Sequence, residues 1–281
     1  MRPSDYPVVV GVADKQPIAM HYAIAEAGRL QRSLRVVHCW ALPVVTSEFY
    51  IAPDAVEAMR TSGAVVLDDA RAIVEEMSPA PTTEYVIADG SPSNVLKQES
   101  EVAAALILGS DDVPWFDRFL GGETSGYLAR SSACPVVVVP ERNVPGRGSG
   151  GVVVTIDGDT SATGPLKYAF EQADLRHEHL HVLHAAPEAT LRADFEAHRA
   201  NVAEVVAGWQ ELFPGVTVHR STTEGAPADE CIRATAEASL VVIGRHHGHT
   251  TPFARVRPIA MTVLRNAQCP VAVVPLDYGR A

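Results

Sequence analysis

The sequence predicts an α/β protein of two tandem domains, each a five-stranded parallel sheet with helices on both faces. Three observations predict it. The chain repeats itself: Cys134-Pro135-Val136-Val137-Val138-Val139-Pro140 returns 135 residues later as Cys269-Pro270-Val271-Ala272-Val273-Val274-Pro275. Short β-branched runs alternate with segments of helical periodicity, the pattern of parallel strands joined by helical crossovers. The 281 residues are 47% hydrophobic, which excludes general disorder and suffices for two cores of roughly 130–150 residues each.

The offset of 135 also maps Gly90 onto Gly225, Pro92 onto Pro227, Gly109 onto Gly244 and Arg130 onto Arg265. Nearer the start it is 144, with Val8–Val12 matching Val152–Ile156 and Ala13 matching Asp157. The first copy therefore carries extra residues, placed most simply in Ala41–Ser62. Two copies point to duplication of a whole domain rather than a solenoid. The Gly/Pro/Ser-rich run 143–151 is a linker where the repeat expects a boundary. The expected domains are 1–143 and 148–281.

The elements follow in order. Val8–Val12 is a continuous apolar run, the mark of a strand buried on both faces. Pro17–Leu30 has helical spacing of Ile18, Tyr22, Ile24, Ala25 and Leu30. Arg35–Trp40 reads as the second strand, Ala64–Met77 as a helix and Thr83–Ile87 as the third strand. Pro92–Glu101 reads as a helix, Ala104–Leu108 as the fourth strand, Thr124–Ser131 as a helix and Pro135–Val139 as the fifth strand. The second copy repeats this order as Val152–Ile156, a helix to Arg176, His179–His184, Leu191–Leu212, Val216–Arg220, Pro227–Glu237, Leu240–Ile243, Ile259–Arg265 and Pro270–Val274. In such sheets ligands bind beyond the carboxyl ends of the strands, where strand order reverses.

Charge and cysteine usage narrow the function classes. The formal net charge is −11, which argues against non-specific partners such as nucleic acid or an anionic membrane surface. No apolar run approaches the roughly 20 residues of a bilayer span, and the N-terminus shows no secretory leader. Cys39, Cys134, Cys231 and Cys269 lie far apart with no C-x-x-C pair, which fits a reduced, cytoplasmic chain.

The residues at the strand ends carry a resemblance. Asp157-Gly158 follows a strand, G-x-P opens a helix twice (Gly90-Ser91-Pro92 and Gly225-Ala226-Pro227), a strand ends at Val242-Ile243-Gly244, and C-P-V-x-V-V-P closes both copies. This order resembles the universal stress protein family over both halves, as a tandem member. The resemblance implies a Rossmann-like, adenine nucleotide alpha-hydrolase-like fold in each half. It also implies a stress-response role and an adenine nucleotide as ligand. Nucleotide-binding members carry an Asp after the first strand and G-x-x-G-x9-G-[S/T] after the fourth. Glycines there let backbone amides converge on phosphate oxygens.

In the first copy the Asp position falls on Ala13, with Asp14 one residue late. Gly109 and Gly122 match loop glycines, but Asp112 and Glu123 stand at the second glycine and the Ser/Thr position, with Asp111 and Asp117 nearby. Two unit charges at 4 Å interact by about 4 kcal/mol at an effective dielectric of 20, so this loop repels a triphosphate and the first site reads as lost. In the second copy the resemblance implies a site of Thr155, Asp157, Ala185, Ile243, Gly244, His246, His247 and Arg257. Here His247 and Arg257 replace glycines and Pro258 follows, so the loop has charge for an anion without the family's geometry. ATP, AMP, cyclic nucleotides and plain phosphate all remain open as its ligand. Residues 1–146 hold 11 basic and 19 acidic side chains against 12 and 15 in 147–281, which agrees in sign.

Plainer readings stand beside these. Asp157 is either a ribose ligand or a turn residue, and the basic loop either an anion site or a solvated surface. His177, His179 and His181 alternate, so on a strand they share one face, and His246, His247 and His249 cluster. No acidic or thiol ligand completes either as a metal site. His38 and His184 hold matching second-strand positions and read as shared ancestry and core packing. Cys134 and Cys269 read as packed small hydrophobes. Trp115, Phe116, Phe119 and Leu120 read as filling a vacated cleft. No G-x-S-x-G elbow, paired-carboxylate motif or P-loop argues for an enzyme, and no catalytic residue is expected. The resemblance further implies that the fifth strands pair, making one chain a pseudo-dimer, with a further homodimer and unidentified protein partners open.

Overall fold

In the computed structural model of the chain, the described residues are 5–14, 16–41, 53–110, 124–140, 150–156, 163–186, 192–245 and 259–279. The chain divides into two compact units, Met1–Glu141 and Arg142–Ala281. Unit 1 runs β1 (Val8–Val12), α1 (Pro17–Leu30), β2 (Leu34–Trp40), α2 (Pro53–Glu75), β3 (Thr83–Asp89), α3 (Pro92–Glu99), β4 (Ala105–Gly109), α4 (Thr124–Ser131) and β5 (Val136–Val139). Unit 2 runs β6 (Val152–Ile156), α5 (Thr163–Arg176), β7 (Leu180–Ala186), α6 (Arg192–Leu212), β8 (Val218–Glu224), α7 (Pro227–Ala234), β9 (Leu240–Arg245), α8 (Ile259–Asn266) and β10 (Val271–Pro275).

Within unit 1 the strand order is β3-β2-β1-β4-β5, and within unit 2 it is β8-β7-β6-β9-β10. Every pairing inside a unit is parallel. The chain therefore reverses direction across the sheet between the first and fourth strands of each unit. The central strands read as continuous apolar runs because helices cover both faces. Val8, Val9, Val10, Val36, Val136 and Val137 are fully buried, as are Val152, Val154, Val242, Val271 and Val274. Alternation puts Gly11 against α3 and the Val12–His38 pair against α2. In unit 2 it puts Thr155 against α7 and Gly244 against α5.

The structure sharpens the offsets. Leu34 matches Leu180, 146 residues on, so unit 2 gains two residues between its first strand and first helix. Thr83 matches Val218, 135 on, so unit 1 has 11 extra residues between its second and third strands. Part of that surplus lies in α2, which starts at Pro53 rather than Ala64, and Pro is at home in a first helical turn.

Two details depart from the sequence reading. The β7 strand starts at Leu180, one residue later than expected, and His177 follows α5 in the left-handed conformation (φ 55°). Gln31 ends α1 in the same way (φ 53°), with its N–H bonded back to the helix. His177 therefore does not share a strand face with His179 and His181. The β8 strand runs to Glu224 rather than Arg220, because its pairing with β7 continues to Ala186↔Glu224. Among the described residues no helix is long and apolar enough to cross a membrane.

Candidate functional site

The doubly wound order directs a ligand to the carboxyl ends of β1 and β4 in unit 1, and of β6 and β9 in unit 2. In unit 2 this end carries Ile156, Ala185, Ile243, Gly244 and Arg245. Ile243 is the register partner of Thr155 and is buried, while Ala185 is half-buried two strands away. Gly244 points to the opposite face from Ile243. A methyl group there would lie 3.1 Å from Pro165 Cγ of α5 and 3.3 Å from Leu276 Cδ2, just past β10. The Gly164 N–H in the first turn of α5 donates to the Leu276 carbonyl at 3.2 Å. One orphan amide of that helix end is thus satisfied by the chain itself.

The segment after β10 continues along α5. Tyr278 stacks edge-on against Tyr168, with ring centroids 5.5 Å apart, and donates its hydroxyl to Glu171 Oε2 at 3.0 Å. Lys167 lies over the Tyr278 ring at 5.7 Å and reaches Glu171 at 3.8 Å. Burial raises the Glu171 carboxyl above its ordinary pKa, and the Tyr278 hydrogen bond and Lys167 offset this only in part.

Thr155 faces inward. Its hydroxyl is 3.5 Å from the Val242 carbonyl and hydrogen-bonds the Cys231 thiol on α7. Burial outweighs that bond and pushes the Cys231 thiol up to about 11. Of the expected site, the structure brings Thr155, Ile243 and Gly244 together on β6 and β9 and places Ala185 on β7. Asp157, His246, His247 and Arg257 lie outside the described residues, as do Asp111, Asp112, Asp117, Glu123 and the four loop residues Trp115, Phe116, Phe119 and Leu120. In unit 1, Ala13 and Asp14 are exposed at the end of β1.

The histidines sort differently from the sequence reading. His38 Nδ1 donates to the Val12 carbonyl at 2.9 Å, and His184 Nδ1 donates to the Ile156 carbonyl at 3.0 Å. Both acceptors are the last residue of a first strand. The matching sequence positions signalled the pair, but the bond itself has no signature in the sequence. His181 and His219 are register partners on β7 and β8. His181 Nε2 lies 2.7 Å from Ser221 Oγ, and the His179 ring packs edge-on against His219 at 5.5 Å. Burial, then the charges of His219 and His179, lower the His181 pKa. Among the described residues no group of three or more His, Cys, Asp or Glu is arranged to hold a metal ion.

The cysteines are free thiols. Burial pushes Cys269 up to about 12, and burial with the Glu99 charge does the same for Cys39. Thiols so placed are poor nucleophiles.

Comparison with known proteins fits this architecture. The model of the universal stress protein family matches residues 7–140 and again 150–275. A universal stress protein of Mycobacterium tuberculosis is 28% identical over 283 aligned positions, covering 95% of each chain. One from Mycolicibacterium smegmatis is 27% identical, covering 96% of this chain and 97% of its own. The crystal structure of a universal stress protein from Archaeoglobus fulgidus superposes with a TM-score of 0.74 at 18% identity, covering 97% of both chains. Two successive matches to one family model, in the order and at the strand ends described above, show that the chain belongs to the universal stress protein family as a tandem of two of its domains.

Proposed function

We propose that this universal stress protein works by binding rather than turnover in a cytoplasmic stress response. Its first nucleotide site is lost, and its second is kept in a weak or altered form. The observation that carries the reading is at Gly244. This glycine is the one loop position of the family's nucleotide pattern that unit 2 retains, and its open side is filled by Pro165 and Leu276. A glycine favoured by tight packing supports an altered site better than an intact one. Asp112 and Glu123 in the first copy, and His247 and Arg257 in the second, support the same reading from the sequence. In this reading Asp157 meets the ribose, His246, His247 and Arg257 supply charge for the phosphate, and Thr155, Ala185, Ile243 and Gly244 shape the floor. The domain limits 1–143 and 148–281 belong with it, and limited proteolysis within 144–147 tests them.

Isothermal titration with ATP and Mg²⁺, repeated with AMP and cyclic AMP, tests the binding. One site per chain is expected, with a micromolar dissociation constant, abolished by Asp157→Ala and by Arg257→Glu. Two sites per chain would overturn the loss of the first. No heat and no thermal stabilisation at millimolar ligand would overturn the nucleotide reading and leave a scaffold for protein partners. Slow ATP hydrolysis that disappears in Asp157→Ala would make the chain an ATPase instead.

A further inference from the structure

The same bond stands at the same place in both units. His38 of β2 donates from Nδ1 to the Val12 carbonyl, and His184 of β7 donates from Nδ1 to the Ile156 carbonyl. The direction is fixed, because a carbonyl only accepts. In unit 1 the bond coincides with the end of a strand pairing. The β1–β2 register stops at Val12↔His38, whereas β2–β3 continues through Cys39↔Ala88 and Trp40↔Asp89. In unit 2 the last pair among the described residues of β6 and β7 is likewise Ile156↔His184, and β7–β8 runs on through Ala185↔Thr223 and Ala186↔Glu224. In unit 1 a histidine side chain thus takes hold of the first strand at the residue where the second strand goes on without it, and the same bond stands in unit 2.

The rings are braced. His184 is 2% exposed. His38 lies under α2 at Gly63, where a methyl group would sit 2.8 Å from the ring Cδ2. The residue after each acceptor is Ala13 or Asp157, and the residue after each donor is Cys39 or Ala185. Each bond therefore lies at the carboxyl end of the first strand, where a doubly wound sheet receives a ligand.

We propose that His184, and His38 by descent, is a positioning residue: its Nδ1–H···O=C bond holds the carboxyl end of the first strand against the second, at the end of the sheet that takes the ligand. In unit 2 the proposal rests on the reading that this end takes an adenine nucleotide. His184 acts through Ile156 and does not touch the ligand. The donor must stand where Nδ1 stands. Asparagine places an amide nitrogen at that distance from Cβ, and glutamine carries it one methylene further.

The test uses the full chain with His184→Asn, His184→Gln and His184→Leu, titrated with AMP. A dissociation constant within about threefold of the unaltered chain is expected for Asn, and one weakened about tenfold or more for Gln and Leu. A second readout needs no ligand: amide hydrogen exchange at Ile156 and Ala185 quickens in Gln and Leu and stays near the unaltered rate in Asn. The His38 series is expected to give the same order at Val12 and Cys39. Should the Leu variant fail to fold, the Asn–Gln comparison decides. Absence of AMP binding by the unaltered chain overturns the proposed ligand, and the exchange order then decides the positioning role alone. Equal binding and equal exchange across the variants overturn the inference.

Discussion

Gly11 on β1 and Thr155 on β6 occupy the same position of the two copies, as do Leu96 on α3 and Cys231 on α7. The pairs are complementary. A large helix residue covers the strand glycine in unit 1, and a small one covers the strand threonine in unit 2. A methyl group on Gly11 would lie 2.8 Å from Leu96 Cδ1 and 3.1 Å from Leu108 Cδ2, and Leu96 is 3% exposed. Gly11→Thr therefore forces both leucines aside, at about 1–3 kcal/mol of overpacking, less about 0.5–1 kcal/mol regained by removing glycine from a strand. Leu96→Cys opens a hole, costing less than the roughly 2–5 kcal/mol of a buried Leu→Ala change because the sulfur remains. Together the two changes rebuild the unit 2 pair, so the double variant should lose less than the sum by about 1–3 kcal/mol. Urea unfolding of the full chain, fitted as two transitions, reads this as a midpoint recovery of about 0.5–1 M at unchanged slope in one transition only. Thr155→Gly with Cys231→Leu is the converse swap. Additivity within about 0.5 kcal/mol in both units would falsify the claim that each pair shares one space.

Glu171 has a carboxyl pKa raised by burial, so the folded state holds its proton to higher pH than the unfolded chain does. Its contribution falls as pH rises through the folded value. Glu171→Gln should thus raise the melting temperature by a few degrees at pH 7–8, with the gain vanishing toward pH 4; a loss at pH 8 would contradict this. The lowered pKa of His181 has the opposite sense in pH. Its contribution is present above about pH 6.5, the ordinary imidazole value, and is lost as pH falls through the lowered folded value. A His181→Gln variant should show a shallower acid loss in thermal melts between pH 7 and pH 5, and an unchanged slope would exclude His181 as its source. In a Cys39→Ser background, chosen because Cys39 is only half-buried, Cys231 and Cys269, with thiols near 11 and 12, and buried Cys134 should react with a thiol reagent at pH 8 only as fast as the chain unfolds. One thiol reacting at once in the native chain would locate an opening absent from this fold.

The fold was legible because its signals are periodic or repeated. Apolar strands alternate with helical spacing, and C-P-V-x-V-V-P recurs at a fixed distance. Errors fell where no period operates. The α2 start at Pro53 follows a stretch with no counterpart in the second copy, and the alternation of His177 with His179 and His181 cannot show that a helix cap intervenes. The Ser100 hydroxyl accepts the Ala133 amide at 3.0 Å, and the Thr235 hydroxyl accepts the Gln268 amide at 3.1 Å. This duplicated pin holds the turn before each fifth strand, yet Ser and Thr are too common for the sequence to announce it. Much of the site was harder still. The Thr155 hydroxyl is engaged by Val242 and Cys231, and side-chain direction at a strand end is a property of the packed sheet.

The duplication also supplies a control that a single domain lacks. A motif residue kept in one copy has two explanations, a ligand that needs it or a neighbour that does, and the sequence weighs them equally. At Gly244 the neighbours are visible: a methyl group would lie 3.1 Å from Pro165 and 3.3 Å from Leu276, a tight fit that favours glycine whether or not phosphate ever binds. At Gly11 the neighbour is Leu96, and where that leucine becomes Cys231 the glycine becomes Thr155. Glycine there follows the packing. The second-strand histidines are different, because neither volume nor apolar character selects them. What both copies preserve is one donor atom aimed at one carbonyl, at the carboxyl end of the first strand. Geometry retained while the surrounding packing changes is the stronger sign of a positional demand, and it lies beside the end of the sheet where this architecture receives its ligands.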